Sequence, residues 1–538
     1  MATINELEEI VKNARVGTIV PVYKIIDADL CPVDYFAKLS NYGRNDNSIL
    51  LESAEIVSKY GENSVGTADP CLRLVGRGDN FQIQGLNELG YRFLNFVRDD
   101  FNFCDEVNYR EGLINGTLKP QRGEVSESER LNQRTHMDII RKIAFRFSPT
   151  LKPINHYGGL LGIFSYDFID QFEDLPKNKE DSIDDPDYEI FFADNLFMYD
   201  HKSKQIYFVA NALIMDDDGE GTYKKSLEKI AEYEAHLHKR LIVPELVERT
   251  RPFQLQSDMT REEYCEKVDI LKRHIVDGDI FQCVLSRTIT TDLQSEPLNI
   301  YRNLRKSNPS PYMFYIKSAE GILLGSSPER CIGVKGDNGL KSVEIRPIAG
   351  TKPRGLINGK IDRDLDNRFE TELKLDPKEL AEHTMLIDLA RNDVARVSVP
   401  GTRYVSEPLI VEKYSHVQHL VSSVSGILKP ELDALHAYLA SMNMGTLTGA
   451  PKIEAMKLLR EHEKNKRGFY GGAVFYLTPS KDFDSAIVIR SMRLKSDKAY
   501  IRAGAGIVYD SIPEKEFEET EKKASSCINA LRPEEKND

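Results

Sequence analysis

NLFMYD (195–200) runs through HKSK into QIYFVA (205–210). Two short runs rich in aromatic and β-branched residues, joined by four polar ones, predict a β-hairpin. Working outward, SILLES (48–53) and GGLLGIFSY (158–166) are apolar runs of the same kind, so the surrounding region reads as an antiparallel-rich α+β unit. Two acidic, polar stretches interrupt it, residues 119–135 and EDLPKNKEDSIDDPDY (173–188), and both read as exposed loops.

Residues 249–259, with Pro252 and little periodicity, form a candidate junction between an N-terminal region (1–250) and a C-terminal region (251–538). A helix is predicted to follow, with Thr260 as N-cap, Glu263 closing a capping box, a buried face of Tyr264, Val268, Leu271 and Ile275, and Gly278 as its stop. FQCVLSR (281–287), YMFYI (312–316), AIVIR (486–490) and AYIRAG (499–504) read as strands. Helical patterns alternate with them irregularly, so this half is mixed α/β without βαβ repetition.

The 538 residues exceed the roughly 250 at which a single core stops growing, and two domains or one large composite domain are expected. Lysine and arginine number 72 against 85 acidic residues, a net charge of -13 that argues against nucleic acid or an anionic membrane as partner. The N-terminus lacks a signal-like apolar region and no apolar run approaches a membrane span, which predicts a cytoplasmic protein. Seven scattered cysteines without a C-x-x-C pair indicate neither a disulfide framework nor a zinc site.

Two Glu-x-x-Glu pairs stand out. In DPKELAEHTMLIDLARND (376–393), Asp376 fits an N-cap and Pro377 the first helical position, with Leu380 and Ile387 on the buried face and Glu379 and Glu382 one turn apart. In SIPEKEFEETEKKASSCINAL (511–531), Phe517, Ala524, Ile528 and Leu531 form the apolar side, and Glu516, Glu519 and Lys523 share an edge. Neighbouring carboxylates repel, and a hard cation such as Mg2+ relieves that through oxygen ligands. Four glycine-containing strings accompany them: GSSPE (325–329), RPIAGTKPRG (346–355), MNMGTLTGAPK (442–452) and AGAGIV (503–508). Glycines let backbone N–H groups approach anionic oxygens, and none of these strings matches a phosphate-binding or dinucleotide-binding fingerprint. With Arg490 in AIVIRS they suggest a pocket for a dicarboxylate.

Together with LLES (50–53), GDIFQ (278–282), NPSPYMF (308–314), YSHVQHLVS (414–422) and FYGGAV (469–474), these strings resemble the chorismate-utilising enzymes, and within them the large subunits of anthranilate synthases. The resemblance implies two packed antiparallel-rich sheets with flanking helices. It makes Glu382 and Glu519 Mg2+ ligands, with Glu379 and Glu516 as ligands or water-mediated neighbours. Gly350, Thr351, Tyr470, Arg490 and the amides of Gly504, Ala505 and Gly506 would hold the enolpyruvyl carboxylate, with Lys523 near the metal end. Glu329 matches the acid that releases the C4 hydroxyl, His419 the residue assisting removal of the C2 proton, and Thr446 a neighbour orienting substrate.

Relatives making 4-amino-4-deoxychorismate typically carry Lys where this chain has Ala349, and relatives making isochorismate a water-activating Lys where it has Gln282. Ala cannot attack the ring and Gln is no base at neutral pH, so the resemblance implies ammonia as nucleophile and conversion of chorismate to anthranilate and pyruvate in tryptophan biosynthesis. 4-Amino-4-deoxychorismate synthesis is the enzyme alternative, and an inactive tryptophan-sensing subunit the alternative of another class. No segment resembles an amidotransferase, which implies a separate glutamine amidotransferase subunit and a hetero-oligomer. LLES also resembles the family's tryptophan-feedback site. Glu52, Ser53, Asn63 and Pro311 match it from one side, Tyr312, Met313, Val474 and Tyr476 from the other. Three departures accompany the match: Asn63 stands where relatives often have a basic residue, His416 lies beside His419, and Arg346 precedes PIAGT.

Overall fold

The structure is a computed structural model that describes residues 4–54, 63–121, 127–152, 154, 156–244, 253–337, 339–357, 359–414 and 417–532. Residues 249–252 of the proposed junction, and His416, lie outside these residues.

Asn195–Asp200 and Gln205–Leu213 form the predicted antiparallel hairpin, with Lys204 in the left-handed region at its turn. It belongs to a sheet of 13 strands whose order runs from Gln282–Asp292 through Lys498–Ile507, Ser491–Lys495, Gly321–Ser327, Tyr312–Ser318, Ser48–Glu52 and Asn63–Thr67 to the hairpin and Thr18–Asp27. A second sheet of 13 strands runs from Ile348–Pro353 through Val417–Ile427, Leu340–Ile345, Arg330–Asp337, Phe483–Ile487, Ala473–Leu477, Gly159–Phe164 and Tyr188–Ala193 to Glu106–Arg110. Their strand pairs are antiparallel apart from the short Thr18–Asp27 pairing with Ser148–Pro149. Each sheet takes strands from both halves of the chain, so a cut near residue 250 divides the sequence but not the core.

The period-two alternation of strands explains the layering. Leu161, Ile163, Val474 and Tyr476 of the second sheet join an apolar cluster with Leu50, Phe197, Met313 and Met492 of the first. Their neighbours Leu160, Phe164, Phe475 and Leu477 face the other way, into a cluster closed by the helices Pro377–Val397 and Ala434–Ser441.

The capping box at Thr260 and Glu263 forms and starts the helix Arg261–Asp277, which stops at left-handed Gly278. Three expectations need correction. The buried face of Pro377–Val397 is His383, Leu386, Ala390, Val394 and Val397, while Leu380 and Ile387 are only half-buried, because the helix packs against the strand Val417–Ile427 along the first set. The stretch 173–188 is not wholly exposed: Asp185 is buried against Arg493 at 2.8 Å, and Asp187 accepts from Gly78 N–H at 2.6 Å. The AIVIR strand ends at Ile487, since the chain there leaves one sheet for the other.

Candidate active site and effector cavity

Two of these sheet-to-sheet passages lie side by side. The chain leaves Gly321–Ser327 of the first sheet and enters Arg330–Asp337 of the second across Pro328 and Glu329. It returns from Phe483–Ile487 to Ser491–Lys495 across 488–490, where Arg490 adopts φ +49°. Ser326 N–H donates to the Arg490 carbonyl at 3.0 Å and Ile487 N–H to the Glu329 carbonyl at 3.0 Å, so the two passages are tied backbone to backbone. Regular pairing is suspended at such passages, which leaves both side chains unclaimed by the sheets.

Glu329 is buried and its Oε1 has no hydrogen-bond partner among the described residues. Burial pushes its carboxyl up to about 8, against the opposing pull of the Thr446 hydroxyl and the Lys523 ammonium. Thr446 Oγ1 is likewise buried, close enough to Glu329 to lower its carboxyl but outside good hydrogen-bond geometry with it. The Arg490 guanidinium makes no hydrogen bond or ion pair with a described side chain; burial holds its pKa down, opposed by Cys527, Tyr470 and Glu519. An unpaired guanidinium in a recess is a site for a carboxylate.

His419 comes from the second sheet, where the strand Val417–Ile427 pairs with Ile348–Pro353. A bulge at Gly350, φ +67°, breaks that register and turns the Gly350 carbonyl to His419 Nδ1 at 3.2 Å, with Thr351 Oγ1 at 3.0 Å. A proton on Nδ1 donates to the carbonyl and leaves the lone pair on Nε2. Burial lowers the His419 pKa to about 4, with the Gly350 carbonyl raising it and Arg490 lowering it further, so the ring is neutral near pH 7. His383 is bonded to Ser422 Oγ at 2.8 Å and ties its helix to the same strand.

The two carboxylate pairs approach each other from the helices Pro377–Val397 and Pro513–Leu531. Asp376 caps the first through Lys378 N–H and Glu379 N–H. Burial raises Glu379, Glu382 and Glu516, and Glu519 raises each of them further, while Lys378 opposes at all three and Lys523 at Glu382 and Glu516. Lys523 reaches Glu519 at 2.8 Å and the Gly504 carbonyl at 3.1 Å. Among the described residues no three acidic, imidazole or thiol groups already converge on one point. Mg2+ needs fewer, being held by one or two carboxylates with water and substrate oxygens. Mutually repelling, half-buried carboxylates therefore fit a hard divalent cation.

The glycine strand Lys498–Ile507 forms the floor. Its carbonyls at Gly504 and Gly506 face Lys523 and Ser511, away from the neighbouring strand Gln282–Asp292. Antiparallel alternation then turns the Ala505 N–H into the ladder opposite Leu285, which corrects the expectation that its amide is free. Gly506 is hemmed between Gln282 and Glu382: a Cβ there would lie 3.1 Å from Gln282 Nε2 and 3.9 Å from Glu382 Oε1. Gln282 Oε1 is buried and unpartnered.

Sequence reading missed the support beneath this floor. Buried Glu463 accepts from Arg467 at 2.6 and 2.8 Å, from Arg502 at 2.9 Å and from Ser286 N–H at 2.9 Å. Arg467 also stacks on Tyr166, 4.4 Å from its ring centre, and lies 6.0 Å from the ring centre of Tyr470, whose hydroxyl burial pushes up to about 12. The one sequence signal was Arg467 beside FYGGAV, an arginine adjoining a glycine-containing string.

A separate cavity of about 470 Å³ lies between the sheets. Glu52, Ser53, Asn63 and Pro311 line it, as do Tyr312, Met313, Val474 and Tyr476, so strands distant in sequence assemble all eight residues. Glu52 Oε2 accepts from Tyr301 and from Arg305 Nε, each at 2.9 Å, while its buried Oε1 is unpartnered.

Residues 111–529 match the model of the chorismate binding enzymes. Anthranilate synthase component 1 of Vibrio cholerae is 40% identical over 493 residues, 91% of this chain and 92% of that one. This chain belongs to the chorismate-binding enzymes, among the anthranilate synthase component 1 proteins. The component 1 protein of Haemophilus influenzae is 39% identical over 496 residues, covering 91% of this chain and 92% of its own. The solved anthranilate synthase component I from Streptococcus pneumoniae superposes with a TM-score of 0.67 at 31% identity, over 88% of this chain and 93% of that one. A menaquinone-specific isochorismate synthase from Escherichia coli shares the fold, with a TM-score of 0.63 at 16% identity over 98% and 99% of the two chains. Among the described residues no helix is long and apolar enough to cross a membrane.

Proposed function

We propose that this chain converts chorismate and ammonia to anthranilate and pyruvate, and that tryptophan binding in the inter-sheet cavity inhibits it. The observation that carries the reading is the tied pair of passages, one bearing an acid held neutral by burial and the other an unpaired guanidinium. Arg490 and the outward amides of the glycine strand hold the enolpyruvyl carboxylate, with the Tyr470 hydroxyl beside them. Glu382 and Glu519, with Glu379 and Glu516 near them, would hold a Mg2+ ion, which would supply positive charge for the ring carboxylate. As ammonia bonds to C2 and the ring double bond shifts, the C4–O bond breaks, and Glu329 gives its proton so that the hydroxyl leaves as water. In the second step His419 Nε2 takes the C2 proton, the C–O bond to the side chain breaks, and enolpyruvate leaves, gaining a proton to become pyruvate. Thr446 borders Glu329 and orients the ring.

Ala349 is a buried aliphatic residue and offers no amine for attack on the ring, and Gln282 offers no base for water. Ammonia is then delivered by a separate glutamine amidotransferase subunit, and the working protein is cytoplasmic and hetero-oligomeric. In the cavity, the free Oε1 of Glu52 takes the amino group and Met313, Val474 and Tyr476 the indole.

A Mg2+ titration with chorismate and ammonium, read by anthranilate fluorescence, tests the site. Glu382→Gln and Glu519→Gln should each raise the Mg2+ needed for half activity about 10- to 100-fold. An unchanged requirement in both removes them from the metal site.

A further inference from the structure

The effector cavity and the catalytic acid share a wall. Arg330 follows Glu329 in the chain and lines the cavity. Its guanidinium forks: Nε donates to Asp484 Oδ1 at 2.8 Å and Nη1 to Glu344 Oε2 at 2.7 Å. Each prong leads somewhere different. Asp484 Oδ1 also accepts from the Tyr312 hydroxyl at 3.4 Å, and Asp484 sits opposite Tyr476 in the strand pair Ala473–Leu477 and Phe483–Ile487. Both tyrosines line the cavity beside Glu52. Glu344, on the other prong, accepts from Ser423 Oγ, in the strand that carries His419. The register between Arg330–Asp337 and Phe483–Ile487 slips between Arg330 and Gly333, so Arg330 stands at a break in the ladder just where the chain leaves Glu329.

We infer that Arg330 is a positioning residue coupling the cavity to the catalytic acid: a ligand seated against Tyr312 shifts the guanidinium between Asp484 and Glu344, and Glu329 and the His419 strand move with it. This rests on the reading of the cavity as the tryptophan site. The fork is mostly buried, and a planar guanidinium that holds two carboxylates at once passes a displacement of one partner to the other. A ligand that favours one arrangement then changes the affinity of the other site, and by linkage the effect is mutual.

The chain contains no tryptophan, so bound tryptophan is its only indole and fluorescence reads its affinity directly. The experiment titrates the full chain with tryptophan in Mg2+, with and without saturating chorismate, ammonium being omitted to stop turnover. In the wild type chorismate should weaken tryptophan binding about tenfold or more. In Arg330→Met and Asp484→Asn that ratio should fall to within about twofold of unity, while tryptophan still binds when chorismate is absent. Asp484→Asn keeps the side-chain volume, so it decides the matter if Arg330→Met does not fold. A wild-type ratio retained in the folded variants overturns the coupling role, as does a wild-type ratio of unity. Absence of tryptophan binding to the wild type overturns the effector reading together with the coupling built on it.

Discussion

Burial sets the properties of Glu329 and His419 in opposite directions, and both serve the same reaction. The carboxyl is pushed up to about 8 and stays protonated near neutrality, while the imidazole is lowered to about 4 and stays free to accept a proton. At constant free ammonia the rate should therefore fall as pH rises through about 8, because the acid form of Glu329 is lost. Glu329→Gln should lower kcat about 10²- to 10⁴-fold and abolish that limb. A stability effect accompanies it. The folded pKa of Glu329 lies above the ordinary 4.5, so the neutral form contributes in full below pH 4.5 and the contribution is lost as pH rises through about 8. Calorimetry at pH 9 should find Glu329→Gln more stable than the wild type by roughly 1–3 kcal/mol, since an amide carries no charge to bury. A variant that is inactive and also less stable at that pH would contradict this assignment. Residue roles were legible only through the order of short strings: an isolated glutamate after Ser-Ser-Pro says nothing about its burial.

At the scale of elements, the bulge at Gly350 does most to place the base. Its φ of +67° suits glycine, and an added Cβ would lie 2.7 Å from Leu373 Cδ1 and 2.8 Å from Glu379 Oε2. Gly350→Ala should lower stability by about 1–3 kcal/mol and reduce kcat with it, by disturbing the carbonyl that orients His419 and the helix that carries Glu379. Thermal melts and steady-state rates check both; full activity at wild-type stability would show that the bulge is not needed. The hairpin 195–210, the capped helix at Thr260 and the Asp376 cap were readable because each is written in local turn and cap chemistry. The end of the AIVIR strand was not. Nothing local distinguishes a strand that continues from one whose chain is about to change sheets, because the cause is the position of the second sheet. The Glu463–Arg467–Arg502 network escaped because, although Glu463 and Arg467 are four residues apart, only folding brings Arg502 and Ser286 to them.

At the scale of the whole molecule, the fold interleaves two halves of the chain in both sheets, and function follows from that weaving. The inter-sheet cavity draws Glu52 from one end of the chain and Val474 from the other. The net charge argued against nucleic acid as a default partner, but composition could not show that a cut near residue 250 crosses two continuous sheets. The passages between those sheets carry Glu329 and Arg490 on adjoining segments, and the central claim is that this arrangement aminates chorismate and then aromatises it. Its most direct test is to incubate the full chain with chorismate, Mg2+ and ¹⁵N-ammonium and to follow the products by NMR. Equimolar ¹⁵N-anthranilate and pyruvate are predicted, without any added lyase. A labelled product that keeps its enolpyruvyl group and stays non-aromatic would contradict the claim.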